Sequence, residues 1–419
     1  MPAPLHLRSF RRSHELFERA SRVVPGGIYG HASPAITGPG NFPYYATKAK
    51  GSRYWDADGN EYIDYMCGYG PVILGHGRPE VDEAAFRRTN EGLCLNHPTE
   101  ESIELIETLV GLIDFAAWGV LAKNGSDVTT WCLQVAREFT KRKKILKVAG
   151  NYHGIDPWCT PGHAGLIEED RAHIHDFTWN DLESFDAQLK QYRGQFAAVI
   201  LTPFHHPTFQ KSEMPADGFL AHIEAACRRE GIVIILDDIR AGFRLHHGGS
   251  HRAVGFEPDL ICFCKALANG HPLSAALGRK ELRVAAGKVF LTGSYWNSPA
   301  PMAASLVCLK LLAEEKVVEQ LARTGRLLMD GLVAAGTRHG YKTIASGPPA
   351  IPLLTFADDP SLRRQQRFCA EVTGRGAFFH PHHNWFLCAA HTEADIAETL
   401  KIADQAFAAL REAEETAAA

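Results

Sequence analysis

Five short runs rich in Val, Ile and Leu recur through the middle of the chain: Gly119–Ala122, Lys144–Val148, Ala197–Leu201, Ile232–Leu236 and Leu260–Cys264. Longer amphipathic stretches separate them. Apolar runs of about 4–8 residues bounded by polar loops read as strands buried on both faces, and the intervals are long enough to return each strand parallel to the last through a helix. This alternation predicts an α/β fold, a mainly parallel sheet flanked by helices.

The flanks read differently. After the Gly- and Pro-containing stretch 292–301, helical periodicity runs from Met302 to Ala335, and Gly347-Pro348-Pro349 then breaks the chain before a last αβ segment, expected to form a smaller domain. Near the start, Asp56-Ala57-Asp58-Gly59-Asn60 predicts a hairpin turn between aromatic-rich strands. The Ala/Glu-rich end from Arg411 to Ala419 is expected to fray.

With 44 Lys and Arg against 48 Asp and Glu, the net charge of -4 leaves no basic run suited to a nucleic acid or an anionic membrane. A small-molecule substrate is expected. No window approaches the ~20 apolar residues of a membrane span, the first twenty residues hold no apolar stretch, and the ten cysteines are scattered as in a reducing compartment, so the expected location is cytoplasmic.

In open parallel sheets ligands gather at the carboxyl ends of strands. The run Ile232–Leu236 ends in Asp237, and Leu260–Cys264 delivers Lys265, so a carboxylate and an amine stand at two such ends. Lys123-Asn124-Gly125-Ser126-Asp127 opens an amphipathic stretch carrying Val128, Trp131, Cys132, Val135 and Phe139 on one side, with Ser126 as the expected N-cap. Such a helix start suits a phosphate, although most similar sequences only cap. Gly150-Asn151-Tyr152-His153-Gly154 sets an aromatic ring just beyond a strand, either a surface turn or a flat face for an aromatic cofactor.

These residues, with Leu16-Phe17-Glu18-Arg19-Ala20, Val24-Pro25-Gly26-Gly27, Gly70-Pro71-Val72-Ile73-Leu74-Gly75-His76 and Ala389-Ala390-His391-Thr392-Glu393-Ala394-Asp395, resemble the class III (fold-type I) pyridoxal-phosphate (PLP) enzymes, nearest the glutamate-1-semialdehyde aminomutase branch. The resemblance spans nearly the whole chain. It implies a fold-type I architecture, with an N-terminal segment over 1–75 packing with the small domain, a large PLP-binding domain with a seven-stranded sheet over 76–305, and a small domain over 306–419. It makes Lys265 the catalytic Schiff-base lysine and Asp237 the partner of the pyridinium nitrogen, with Ile239 and Tyr152 on the two ring faces. His153 is a further cofactor contact, Asn124, Gly125 and Ser126 form the phosphate turn, and Ser294 is supplied by a neighbouring subunit, so the implied assembly is a homodimer with shared active sites.

Departures from the family narrow the reaction. Where the aminomutases hold a substrate carboxylate with an Arg after the Pro-Gly-Gly turn, this chain has Ser33, which cannot form a bidentate clamp, though His31 is near it in sequence. The stretch Trp158–Asp170 is too short to be the gating loop that retains an intermediate. Both favour an aminotransferase, moving an amino group between a small amine or amino acid and a keto or aldehyde acceptor. The alternatives are an aminomutase or racemase, and a PLP-binding protein without catalysis.

Thr202-Pro203-Phe204-His205-His206 replaces the family's Glu-Pro, and either His205 or His206 takes the polar role near the ring unless both are loop histidines. Tyr29, His31, Tyr69 and Trp385 complete the expected substrate lining. Arg240 and Arg244 follow Asp237 without being assigned a carboxylate clamp. His380-Pro381-His382-His383 offers imidazoles but no matching cluster elsewhere in the sequence, so no metal is expected.

Overall fold

A computed structural model describes residues 8–30 and 42–418, so His31 and Ser33 lie outside the described residues. The chain divides into two compact units, one of Met1–Arg78, Thr208–Ser212 and Glu319–Ala419, the other of Pro79–Pro207 and Glu213–Val318. The second unit therefore runs past the expected limit at 305. Helix Ala300–Glu314 belongs to it because it packs on helix Pro79–Glu91.

In the first unit β1 (Ala46–Lys50), β2 (Arg53–Asp56) and β3 (Glu61–Asp64) form an antiparallel meander. The turn between β2 and β3 has the predicted chemistry. The Asp56 carboxylate accepts the N–H groups of Asp58 at 3.0 Å and Asn60 at 2.8 Å, and Gly59 supplies the left-handed residue at φ +86°.

The second unit is built on seven strands: β4 (Trp118–Ala122), β5 (Lys144–Val148), β6 (Ile174–Phe177), β7 (Phe196–Leu201), β8 (Val233–Asp237), β9 (Leu260–Phe263) and β10 (Ser274–Gly278). Their order is β4-β10-β9-β8-β7-β5-β6, parallel from β9 to β6, with β10 antiparallel to both neighbours. Two strands escape the hydrophobic signal. Edge strand β6 reads Ile-His-Asp-Phe and is only partly buried, while β10, fully buried, reads Ser-Ala-Ala-Leu-Gly because little space is left: a Cβ on Gly278 would lie 2.3 Å from the Trp118 ring.

Helix Gly125–Thr140 buries Val128, Trp131, Cys132 and Val135 in the core shared with β7, β8 and β9. Phe139, expected on the same side, is exposed near the helix end.

Back in the first unit, β11 (Thr343–Ser346) and β12 (Leu353–Phe356) pair antiparallel, and β13 (Ala377–Phe378) lies parallel beside β3. Phe368 of helix Arg363–Arg375 stacks on Phe407 of helix Glu393–Ala418 at 4.3 Å. That last helix does not fray at Arg411, where Arg411 Nε meets Glu415 at 2.7 Å and Tyr341 donates to Glu414 at 3.2 Å. Among the described residues no helix is long and apolar enough to cross a membrane.

Candidate active site

The parallel register of β8 and β9 sets Asp237 opposite Cys262, so Lys265 emerges from the adjacent strand just beyond it. Both side chains open into one cavity of about 330 Å³, lined wholly by the second unit. Around them stand the loops that follow β4, β5 and β7, as expected where strands of a parallel sheet end.

Lys265 begins a short 3-10 turn in a left-handed conformation, φ +48°. Burial, helped by the nearby Arg240 cation, brings its amine down to about 7. Asp237 is held from two sides. One oxygen lies 2.8 Å from His153 Nδ1, and the other accepts the N–H of Ile239 at 3.2 Å. His153 stacks nearly parallel to Trp158 with ring centroids 6.0 Å apart, and its carbonyl accepts the Thr129 hydroxyl at 2.9 Å, so the imidazole is fixed in orientation. Asp238 faces the other side of the strand, where it accepts the Ser250 N–H at 2.8 Å and burial raises its carboxyl to about 7.

Tyr152 and Ile239 both line the cavity, and burial raises the Tyr152 hydroxyl above its ordinary value. The helix after β4 begins at Gly125, with Asn124 rather than Ser126 as its N-cap. Asp127 takes the reciprocal position, accepting the Asn124 N–H at 2.8 Å. Ser126 is thereby free of capping, and its Oγ accepts the N–H of Ile155 at 3.0 Å. Two glycines let these walls meet: a Cβ on Gly125 would lie 2.6 Å from Ile239 Cδ1, and one on Gly154 2.5 Å from Ser126 Oγ.

The two histidines after β7 part company. His205 Nδ1 pairs with Asn151 Oδ1 at 2.7 Å, and Asn151 in turn donates to Thr202 Oγ1 at 2.9 Å, a structural role. His206 lines the cavity, is 6% exposed, and has neither ring nitrogen hydrogen-bonded. Burial, with the Arg240 cation, holds it well below 6.5, so it is a neutral imidazole.

The remaining expected residues are not among those that line this cavity. Tyr29 is 82% exposed on the first unit. Tyr69 packs edge-on against His383, centroids 5.3 Å apart, and burial raises its hydroxyl to about 12. Trp385, expected in the substrate lining, is instead wholly buried, stacked on Phe379 at 3.8 Å with its indole N–H donating to the His380 carbonyl at 2.9 Å. Such a residue is core. Ser294 is exposed in the loop before helix Ala300–Glu314, its carbonyl 2.9 Å from Cys94 Sγ.

Arg240 and Cys264 also line the cavity and were not singled out as site residues in the sequence. Their signal was position alone, each within three residues of a strand end that carries a reactive group.

Residues 36–387 match the family model described as Aminotransferase class-III. The chain is 42% identical over 399 residues to the aminopentol aminotransferase of Sphingopyxis macrogoltabida, covering 95% of this chain and 94% of that protein. It is 33% identical over 405 residues to the 3-aminobutyryl-CoA aminotransferase of Cloacimonas acidaminovorans (strain Evry), covering 96% and 97%. Among solved structures, the PLP internal aldimine form of the Sphingopyxis sp. MTA144 FumI protein superposes with a TM-score of 0.93 at 42% identity, covering 95% of this chain and 96% of that one. The chain belongs to the class III aminotransferases, enzymes that use pyridoxal phosphate to transfer amino groups.

Proposed function

We propose that Lys265 is the lysine that anchors PLP and moves the proton during amino transfer. The observation that carries this reading is a buried amine brought down to about 7 in the same cavity as the Asp237 carboxylate. The cavity suits a polar aromatic guest, because His153 Nε2 and both nitrogens of His206 are buried polar atoms that no group of the polypeptide satisfies. The helix start at Gly125 and Ser126 offers N–H groups to a phosphate, and Ile239 and Tyr152 offer an aliphatic and an aromatic wall to a ring.

When bound, PLP supplies an electrophilic carbon for an amine and a ring that accepts the electron pair released at the substrate carbon. Asp237, held by His153, is the group that would hold the ring nitrogen by accepting its N–H. A large share of Lys265 is neutral near pH 7, so its lone pair is available first for bonding and then for taking the substrate proton and returning it. Ser294 of a second copy would complete the phosphate contacts, which makes the working form a homodimer; its ten cysteines, scattered as in a reducing compartment, support a cytoplasmic location.

The substrate bears its amine on a carbon without a carboxylate. Ser33 offers no clamp where the aminomutases have an Arg, and the substrates named for the two relatives contain an amine and no free carboxylic acid. Borohydride treatment of the holoenzyme tests the lysine: a mass increment fixed to the peptide carrying Lys265 is expected, and its persistence in Lys265→Ala refutes the reading. A panel of amines with and without α-carboxylates, followed by the change in cofactor absorbance, tests the substrate class.

A further inference from the structure

The first unit holds a group of three donor atoms that amino transfer does not use. Sγ of Cys67, Sγ of Cys388 and one imidazole nitrogen of His391 all lie within 4.8 Å of one another. Cys388 Sγ stands 3.3 Å from His391 Nδ1. All three residues are buried, with exposures of 1%, 0% and 0%. The histidine run at 380–383, which looked richer in ligands in the sequence, forms no such group among the described residues.

The geometry is held from outside the group. Cys67 follows β3 in a left-handed conformation, φ +47°, with the N–H groups of Met66 and Cys67 both donating to one oxygen of Asp64 at 2.8 and 3.0 Å. The segment bearing Cys388 is fixed beside it, since the Phe386 N–H donates to the Tyr65 carbonyl at 2.8 Å and the Ala389 N–H to the Ile73 carbonyl at 2.7 Å. The His391 ring lies flat on Tyr65, centroids 4.7 Å apart at 14°, and Tyr65 is anchored to Thr399 at 2.7 Å. Nε2 has no hydrogen-bond partner, so it is stacking and the Nδ1 side that orient the imidazole.

Two sulfurs and an imidazole nitrogen form a soft donor set. Donor atoms sharing one tetrahedral zinc ion lie about 3.5–3.8 Å apart, inside the 4.8 Å that bounds the three atoms here. Charge selects the ion. Two thiolates and a neutral imidazole carry a charge of about -2, which a divalent cation cancels, sparing the protein a buried net charge.

We propose that Cys67, Cys388 and His391 form a structural site for a thiophilic divalent cation, Zn2+ by charge balance, joining the exit of β3 to the segment that enters the C-terminal helix. Two S–H bonds are exchanged for two S–Zn bonds as two protons leave to water, and the Nδ1 lone pair passes from the Cys388 N–H, now 2.9 Å away, to the metal. Nothing is oxidised or reduced.

The test is elemental analysis of the PLP-loaded enzyme produced in zinc-supplemented cells and desalted, with a parallel copper-supplemented culture. About one zinc ion per chain is expected, with a loss of about tenfold or more in Cys67→Ser, Cys388→Ser and His391→Gln. Cys94→Ser, exposed and outside the group, retains the full content. Stoichiometric copper in place of zinc overturns the assignment of the ion. A wild-type zinc content below about one-tenth per chain overturns the site regardless of how the variants fold. So does a two-hydrogen mass deficit that links Cys67 to Cys388, since the pair is then a disulfide.

Discussion

Asp237 and His153 form a closed pair, with Oδ2 2.8 Å from Nδ1 and the two residues 5% and 1% exposed. The Ile239 N–H occupies the other carboxylate oxygen, so the plane of the carboxylate is set before any ligand enters. Removing one partner of a buried hydrogen bond costs about 1–3 kcal/mol. His153→Phe is therefore expected to lower stability by about 2 kcal/mol in urea titrations and to weaken PLP retention. His153→Asn, which keeps a donor, should recover part of both. Equal losses in the two variants would mean that His153 contributes packing against Trp158 rather than the hydrogen bond.

Lys265 gives a pH dependence of definite sign. Its amine titrates near 7 in the fold and near 10.5 when exposed in the unfolded chain. Between these values the unfolded chain binds the proton and the folded chain does not, so stability rises with pH, by up to about 1.4 kcal/mol per pH unit for one group. Below pH 7 both states are protonated and the cost of burying the cation is fully present. In the PLP-free protein, Lys265→Met should be more stable than wild type at pH 7, with the difference closing towards pH 10. Denaturation at pH 7 and 9 measures this, and parallel slopes in the two proteins contradict it.

His205 and His206 show what was legible in the sequence and what was not. The strand ends were readable because buried β8 and β9 are continuous apolar runs, so Asp237 and Lys265 stood out at their termini. Which of two adjacent histidines faces a cavity depends on the path of an irregular loop, here set by the bridge between His205 and Glu213. No periodicity encodes such a path. Trp385 failed for a related reason: an aromatic residue reads alike in a pocket wall or a core, and only packing on Phe379 separates them. Strand β10 was missed because close packing had removed the branched side chains by which strands are recognised.

The two histidines should therefore respond differently to substitution. His206→Phe leaves a bound polar group without its partner, which costs about 1–3 kcal/mol, or roughly fivefold to 150-fold in affinity for cofactor or amine. His205→Phe should leave that affinity nearly unchanged while lowering the melting temperature, through the loss of Asn151's partner. Since burial keeps His206 neutral, the KM for the amine should show no inflection near pH 6.5 that disappears in His206→Asn. PLP dissociation measured by fluorescence and a pH series of KM values decide both points.

Gly154 and Gly125 test whether the phosphate wall depends on close approach. At Gly154, φ is +142° and a Cβ would sit 2.5 Å from Ser126 Oγ, so alanine meets backbone strain and displaces the hydroxyl. At Gly125 φ is ordinary, and the clash at 2.6 Å is with Ile239 Cδ1, the end of a side chain that lines the cavity. Gly154→Ala should thus cost about 1–3 kcal/mol of stability and also weaken binding of inorganic phosphate to the PLP-free protein. Gly125→Ala, which shifts only the ring wall, should impair PLP binding with little effect on phosphate alone. Calorimetric titration with phosphate and with PLP separates the two, and an equal loss of phosphate binding in both variants would show that the turns after β4 and β5 act as one unit rather than as two independent walls.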